Sequence, residues 1–438
     1  MDFSIDDFDS YYFIGMGGVS MSALAKILRS FGKRVGGYDK LSSQYTDDLS
    51  VEGINIDIGS GDVKDFNAVV YTDAINENDV LIVQARRLGK SLISRGELLR
   101  EISYKYANTL AVAGCHGKTT CSSMLAHIFG AAGSSFTAHV GGRDVDYSNC
   151  HLAGRDYFIT EACEYKRNFL YLKPQLALIL NSEADHLDCY ETPENLIHAY
   201  EEFAHNSQRV IKLYGDLERV NAITFGYDDR ADYYAKNIRG KGGKYSFTAY
   251  KGKSALGKIR LNVYGKHNVL NALAAIAAAS EMHLPFEAIQ GGLQSFKGVE
   301  RRFEFIGTVK GAVCIADYAH HPNEIKAALK TARAVTGGDL YIVFQPHTYS
   351  RTKLLFKQFV RVFGCQKRLL IYKTYAAREY FDDAGCALTL SKALSNSVYA
   401  DNMQGICDFL MSAGSGDCVI FLGAGDIYDV AKCLVDCR

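Results

Sequence analysis

No run of apolar residues in this sequence approaches the roughly 20 that a helix needs to cross a bilayer, which excludes a helical membrane span. Net charge is also missing: Lys plus Arg and Asp plus Glu both number 49. A balanced chain does not grip nucleic acid or an anionic membrane through bulk charge, so small molecules are the expected partners, with no nucleic acid and no membrane. Among the 12 cysteines there is no CxxC pair, and the spacings are uneven. Neither a zinc site nor a thioredoxin-like motif is suggested, and mostly reduced, core-filling thiols are expected. The opening MDFSIDDFDSYYFIG lacks the basic-then-apolar order of a secretory leader, and a cytoplasmic location is expected. Tryptophan is absent and proline occurs five times, neither with a functional reading.

What is present is one grammar used three times. At 438 residues the chain exceeds a single typical core, so two or three domains are expected. Near the start, YYFIGMGGVSMSALAKILRSFGKRVGGYDK reads as strand, glycine turn, helix and second strand, the outline of a dinucleotide-binding βαβ unit. Its fingerprint is imperfect, because Gly15-x-Gly17 is followed by Ser20 where a third glycine is usual. In the middle, TLAVAG leads into GCHGKTT and a helical pattern; DYFIT then ends at Glu161 and LALIL at Asn181. A third set comes after FKGVERRFEFIG: AVCIA before DYAHHPNEI, LYIVF before QPHTYSRT, CVIFL before GAGDIYDVA. Each polar cluster falls just past the carboxyl end of an apolar strand, where open α/β sheets build ligand crevices. The reading is α/β, with domains over about 1–107, 108–297 and 298–438 and a strand-and-turn insertion over 215–265.

GCHGKTT departs from the usual phosphate-loop pattern, GxxxxGK followed by Ser or Thr, because Val112 stands where the first glycine belongs. The chemistry is still available. Gly114 and Gly117 permit close backbone approach, Lys118 supplies a cation and the Thr119 hydroxyl can join a magnesium shell. Glu161 is a natural hard-cation ligand at a neighbouring strand end. His186 suggests a second metal position or a water-mediated contact, with Asp185 and Asp188 as alternates.

Together GCHGKTT, EACEYKRNFL, NSEADHLD, GKHNVLNALAA, RRFEF, DYAHHPNEI, FQPHTYSRT and GAGDIY resemble the Mur ligase family, its alanine-adding branch most closely, over Tyr11 to Val430. A short GTHGKTT loop is normal in that family; here Cys115 takes the Thr position. The resemblance implies a Rossmann-like N-terminal domain, a central P-loop ATPase-like α/β domain and a C-terminal Rossmann-like α/β domain. It further implies a cytoplasmic enzyme of peptidoglycan synthesis, monomer or weak homodimer, that uses ATP and magnesium, with manganese as a substitute. Its reaction would join L-alanine to the carboxylate of UDP-N-acetylmuramic acid through an acyl phosphate.

By the same resemblance Gly15, Gly17, Gly18, Ser20, Met21 and Asp39 would hold the UDP part of the substrate. ATP would meet Gly114, His116, Gly117, Lys118, Thr119, Thr120, His267, Asn268, Asn271, Arg302 and Asp317, with the two asparagines at adenine and Arg302 towards the γ-phosphate. Thr119, Glu161 and His186 would take metal; Lys118, Glu161, His186 and Arg302 would be catalytic. Alanine would fall to Tyr318, His320, His321, His347 and Arg351, with Arg351 first choice for its carboxylate. Thr348, where some relatives carry Arg, leaves the division of that work open. AYEEFAHN offers Glu201 and Glu202 where some relatives have a carboxylated lysine; the nearest lysine is Lys212, and no such modification is expected. Alternatives are a sister ligase that attaches a preformed peptide to the same carboxylate, a non-catalytic nucleotide-binding regulator, and a nicotinamide dehydrogenase that would leave GCHGKTT without a role.

Overall fold

The structure, a computed structural model, describes residues 3–72, 74–183 and 187–436, without the side chains of Leu187, Asp188 and Asp436. Three sheets carry the chain. The first contains β1 (Ser10–Ile14), β2 (Arg34–Asp39), β3 (Asn55–Ile58), β4 (Ala68–Tyr71) and β5 (Ser91–Ser94) in the order β3-β2-β1-β4-β5. All its pairings are parallel, as a doubly wound sheet requires, and every residue of β1 is buried. The order reverses beside β1, so the glycine turn after Ile14 opens at a topological switch point.

The second sheet has ten strands: β6 (Asn108–Ala113), β7 (Phe136–Asp144), β8 (Ser148–Leu152), β9 (Tyr157–Glu161), β10 (Leu176–Ile179), β11 (Arg209–Leu213), β12 (Ile223–Gly226), β13 (Tyr233–Lys241), β14 (Lys244–Lys251) and β15 (Ser254–Tyr264). Its order is β15-β14-β13-β12-β11-β10-β6-β9-β7-β8. The central strand β6 lies parallel between β9 and β10, so the loop after Ala113, the end of β9 and the segment after β10 emerge on one edge. The third sheet holds β16 (Glu304–Val309), β17 (Ala312–Asp317), β18 (Leu340–Phe344), β19 (Arg368–Tyr372), β20 (Ser397–Ala400) and β21 (Cys418–Leu422) in the order β16-β17-β21-β18-β19-β20. Only its edge strand β16 pairs antiparallel.

The chain forms two compact units. One comprises 1–238, 246–262 and 269–297 and contains the first sheet and most of the second; the other comprises 239–245, 263–268 and 298–438. Within the first unit a single core runs from Phe13, Leu24 and Leu28 to Ala111, Phe158 and Tyr200. Asn149, fully buried, ties the first sheet's helix to the second sheet by donating to Val19 O (2.7 Å) and Ser22 Oγ (2.8 Å). In the second unit alternate residues of the strands pack opposite faces, Ile342 and Phe344 on one, Tyr341 and Val343 on the other.

Behind the phosphate loop, helix Lys118–Ala131 packs against helix Phe286–Ser295 at backbone distance. A Cβ on Gly292 would stand 2.4 Å from Ile128 Cα, whereas one on Gly291 would meet nothing within 4 Å. Gly292→Ala is therefore expected to destabilise by about 1–3 kcal/mol. Gly291→Ala, at an open helical position, should gain roughly 0.5–1 kcal/mol. Urea unfolding midpoints check the pair; equal midpoints would remove the close helix contact.

Candidate active site

β6 delivers the chain into Gly114-Cys115-His116-Gly117, and the helix beginning at Lys118 stands directly behind. Gly114 (φ +136°) and Gly117 (φ +87°) occupy the backbone region that L side chains rarely enter. Space forbids a side chain as well: a Cβ at Gly114 would lie 3.0 Å from Leu180 Cβ, one at Gly117 2.5 Å from Asn271 Oδ1. Asn181, just past β10, clamps the loop from the side. Its Oδ1 accepts from His116 N–H and its Nδ2 donates to His116 O, both at 3.0 Å, while its carbonyl accepts from Cys115 N–H at 3.3 Å. Cys115 Sγ donates to Glu183 O at 2.8 Å, and His116 Nε2 stands 3.7 Å from Glu183 Oε2.

Lys118 Nζ donates to Gly114 O (2.5 Å) and to both oxygens of Glu164 (2.9 and 2.8 Å), whose side chain is fully buried. Burial by itself would lower the lysine's pKa; the Glu164 carboxylate outweighs it and holds the ammonium above its ordinary value. Glu161, at the end of β9, accepts from Gly141 N–H and from Ser122 Oγ (3.4 Å) on the same helix. Thr119 is buried in the first turn of the same helix. Sequence reasoning singled out Glu161 and passed over Glu164 and Asn181. The only signal for Glu164 was its place three residues on, inside EACEYKRNFL. His186 and Asp185 lie outside the described residues, as does the side chain of Asp188. Lys212 is spent on structure, donating to Asp216 O and Leu217 O at 2.8 Å each.

At the first sheet's switch point Gly15 and Met16 donate to Tyr38 O (2.9 and 3.0 Å), and Gly17 N–H donates to Asp39 Oδ2 at 2.7 Å. Asp39 thus holds the turn itself. Gly18 precedes helix Val19–Ser30 without offering a side-chain cap; Met21 is buried, and Ser20 Oγ lies 3.0 Å from His139 Nε2.

The second unit gathers the other predicted residues at its own strand ends. Asp317, closing β17, accepts from Phe303 N–H (2.9 Å) and Ala319 N–H (2.8 Å), and burial pushes its carboxyl up to about 6 against the pull of Arg302. The Tyr318 ring lies 4.9 Å from the Arg301 guanidinium and 5.0 Å from that of Arg302. His320 Nδ1 donates to Tyr318 O at 2.9 Å, and burial lowers its pKa to about 4. Arg351 Nη1 donates to His347 Nδ1 at 3.1 Å; burial, with His320 and Arg351 nearby, takes that imidazole to about 3. His321 instead caps helix Pro322–Val335, its Nδ1 accepting from Asn323 N–H at 3.4 Å. Asn268 Nδ2 donates to Tyr264 O at 2.7 Å, and His267 is exposed at the start of its helix. In the first unit Asn271, 8% exposed, lies against Gly117.

Family models cover most of the chain: "Mur ligase family, catalytic domain" matches residues 10–106, "Mur ligase middle domain" 112–279 and "Mur ligase, glutamate ligase domain" 301–425. The chain is 39% identical over 442 residues to the UDP-N-acetylmuramate–L-alanine ligase of Clostridium acetobutylicum, covering 96% of each sequence. The crystal structure of the UDP-N-acetylmuramate-alanine ligase from Thermotoga maritima superposes with a TM-score of 0.85 at 25% identity, covering 98% of both chains. A murein peptide ligase from Psychrobacter arcticus gives 0.76 at 22% identity over 98% of both, a likeness of fold alone. A full-length match at this identity, with the phosphate loop and its paired lysine in place, means that the chain belongs to the Mur ligase family.

Proposed function

We propose that this chain is an ATP-dependent ligase that joins L-alanine to the carboxylate of UDP-N-acetylmuramic acid, releasing ADP and phosphate. The observation that carries the chemistry is the charged Lys118 at the head of the loop, paired with Glu164, with Glu161 on the neighbouring strand end as a carboxylate suited to a hard cation. A carboxylate is a poor electrophile, so the γ-phosphate is first transferred to it, and the alanine amine then displaces phosphate from the acyl phosphate. Two anions meet in the first step, and Lys118 supplies fixed positive charge there. Thr119 and Glu161 are the residues that would hold magnesium, or manganese in its place, with His186 keeping the role the family resemblance gives it, while Glu164 stays with Lys118. When bound, the metal neutralises charge on the phosphates.

His267, Asn268, Asn271, Arg302 and Asp317 keep their ATP roles, and Gly15 to Met21 with Asp39 their UDP roles. For alanine, Arg351 is the carboxylate partner: one N–H is fixed by His347, which leaves the rest of the guanidinium fork free to point elsewhere. Both His320 and His347 stay neutral at pH 7 and are weak bases. A strong base is unnecessary, because an α-amino group with a pKa near 8 is roughly one-tenth free at pH 7.

Phosphate release from ATP with UDP-N-acetylmuramate, offering L-alanine, glycine, L-serine or a tripeptide in turn, tests the reading. Release should need all three substrates and be fastest with L-alanine; faster release with the tripeptide transfers the chain to the sister activity. Lys118→Ala should lower turnover by about 10²-fold or more. Release at the wild-type rate by that variant would take Lys118 out of the chemistry.

Asp317 makes a pH prediction. Unfolding returns its carboxyl from about 6 to its ordinary 3.8, so between those values the folded state binds the extra proton. Its stabilising contribution is complete below the lower value and is lost as pH rises through the upper one. Denaturant midpoints measured across that window should fall less steeply for Asp317→Asn than for the wild type. Parallel curves would show that this carboxyl titrates normally.

A further inference from the structure

Away from the phosphate loop, the first unit brings a different set of cation ligands together. His127 stands in the third turn of helix Lys118–Ala131, Asp144 closes β7, and Asp146 lies in the turn that leads to β8. One donor atom from each lies within 4.8 Å of the others. The side chains of His127 and Asp144 are 4% and 1% exposed, whereas that of Asp146, 33% exposed, opens the group to solvent. His127 is about 12 Å along the helix axis from Thr119, so the group is separate from the phosphate loop.

The hydrogen bonds around His127 call for a positive charge. Ser295, the last residue of helix Phe286–Ser295, gives its hydroxyl proton to Gly292 O (3.0 Å), so its oxygen accepts from His127 Nδ1–H (3.3 Å). A neutral imidazole then presents a lone pair at Nε2, and that atom faces Asp144 Oδ1 and Oδ2 at 3.2 and 3.1 Å. Two acceptors so close repel each other unless a cation joins them. Asp144 Oδ1 already accepts from Asp146 N–H (2.8 Å) and Tyr147 N–H (2.9 Å), while Oδ2 accepts from the Ser123 hydroxyl and keeps one lone pair.

We propose that His127 Nε2, Asp144 Oδ2 and a carboxylate oxygen of Asp146 form a site for a divalent transition ion of the zinc class, which pins the helix behind the phosphate loop to the β7–β8 turn. Ligands about 2.0 Å from a tetrahedral zinc stand about 3.3 Å apart, close to the 3.1 Å between Nε2 and Oδ2. Two carboxylates balance the ion's charge, and the imidazole selects it over magnesium, which prefers oxygen alone. Ser295 on Nδ1 and Ser123 on Oδ2 supply the outer hydrogen bonds that orient such ligands. Lys297 Nζ, 2.7 Å from Asp146 Oδ1 on a side chain 63% exposed, competes with the ion for that carboxylate.

Calorimetric titration of zinc chloride into the full-length protein, without ATP and in excess magnesium, tests this, with cobalt(II) absorption as a second readout. The wild type should bind one zinc, raise its Tm in doing so, and give the intense visible bands of four-coordinate cobalt. Asp146→Asn should fold like the wild type but bind zinc about tenfold or more weakly and lose the rise in Tm. Ser295→Ala, which releases Nδ1, should weaken zinc by about tenfold. Lys297→Met, which removes the competitor, should tighten it, and Glu161→Gln should leave it unchanged. Binding that survives Asp146→Asn at full strength, as zinc on the chain's thiols would, overturns the proposal. So does binding lost in Glu161→Gln, which would put the ion at the phosphate loop. A wild type and Lys297→Met that both bind no zinc overturn it too, and assign the positive charge to a second proton on His127.

Discussion

Lys118 carries its charge on a side chain only 15% exposed, and a cation that far from water is costly unless a carboxylate accompanies it. Glu164, with no exposure at all, is that carboxylate, and the Gly114 carbonyl takes a further proton. The arrangement holds only if the loop brings Gly114 O back over the helix start, which its two left-handed glycines allow. It holds only if the loop stays put, which Asn181 ensures from just past β10, the strand beside β6 in the sheet. The order of β9, β6 and β10 is therefore more than architecture: the middle strand provides the loop, one neighbour leads to the carboxylates and the other to the clamp.

That division explains what was legible in the sequence. Apolar runs ending in polar clusters placed Glu161, Asp317 and the phosphate loop at strand ends, because a buried parallel strand must be apolar and the residues after it must leave the sheet. Glu164 was not legible. It sits past the strand, ahead of a kink where Lys166 and Arg167 take positive φ, and no local pattern reveals which of two nearby glutamates turns inward. Asn181 read as the first residue of a motif, yet its work depends on β10 lying beside β6, a long-range pairing. Asp39, expected at the UDP part of the substrate, takes the Gly17 N–H, and His321, expected at alanine, caps a helix; each uses a polar atom on backbone that the sequence leaves unassigned. The order of the third sheet, with β21 between β17 and β18, was equally beyond local pattern.

The second unit handles charge in the opposite way. His320 and His347 are kept neutral by burial and by neighbouring guanidinium groups, and each has its tautomer set by one bond: His320 Nδ1 donates to a carbonyl, His347 Nδ1 accepts from Arg351. A protonated His347 would lose that acceptor and place a cation against Arg351. Neutral imidazole is thus a condition for Arg351 to stay where it is. Beside these two imidazoles the positive charge resides on Arg302 and Arg351, which do not titrate, and His347 orients Arg351.

Cys115 shows why the family's threonine position tolerates a thiol. The loop's shape comes from backbone torsions at Gly114 and Gly117 and from the amide clamp on His116, none of which involves the side chain at 115. What that side chain must do is fill a nearly closed space and find a partner for its one hydrogen. Sγ meets both demands, 9% exposed and donating to Glu183 O, with the Tyr200 hydroxyl 3.6 Å away. A threonine hydroxyl is smaller and a better donor, but a backbone carbonyl accepts from either. The substitution therefore changes the packing beneath the loop and leaves the N–H groups that face a phosphate as they are.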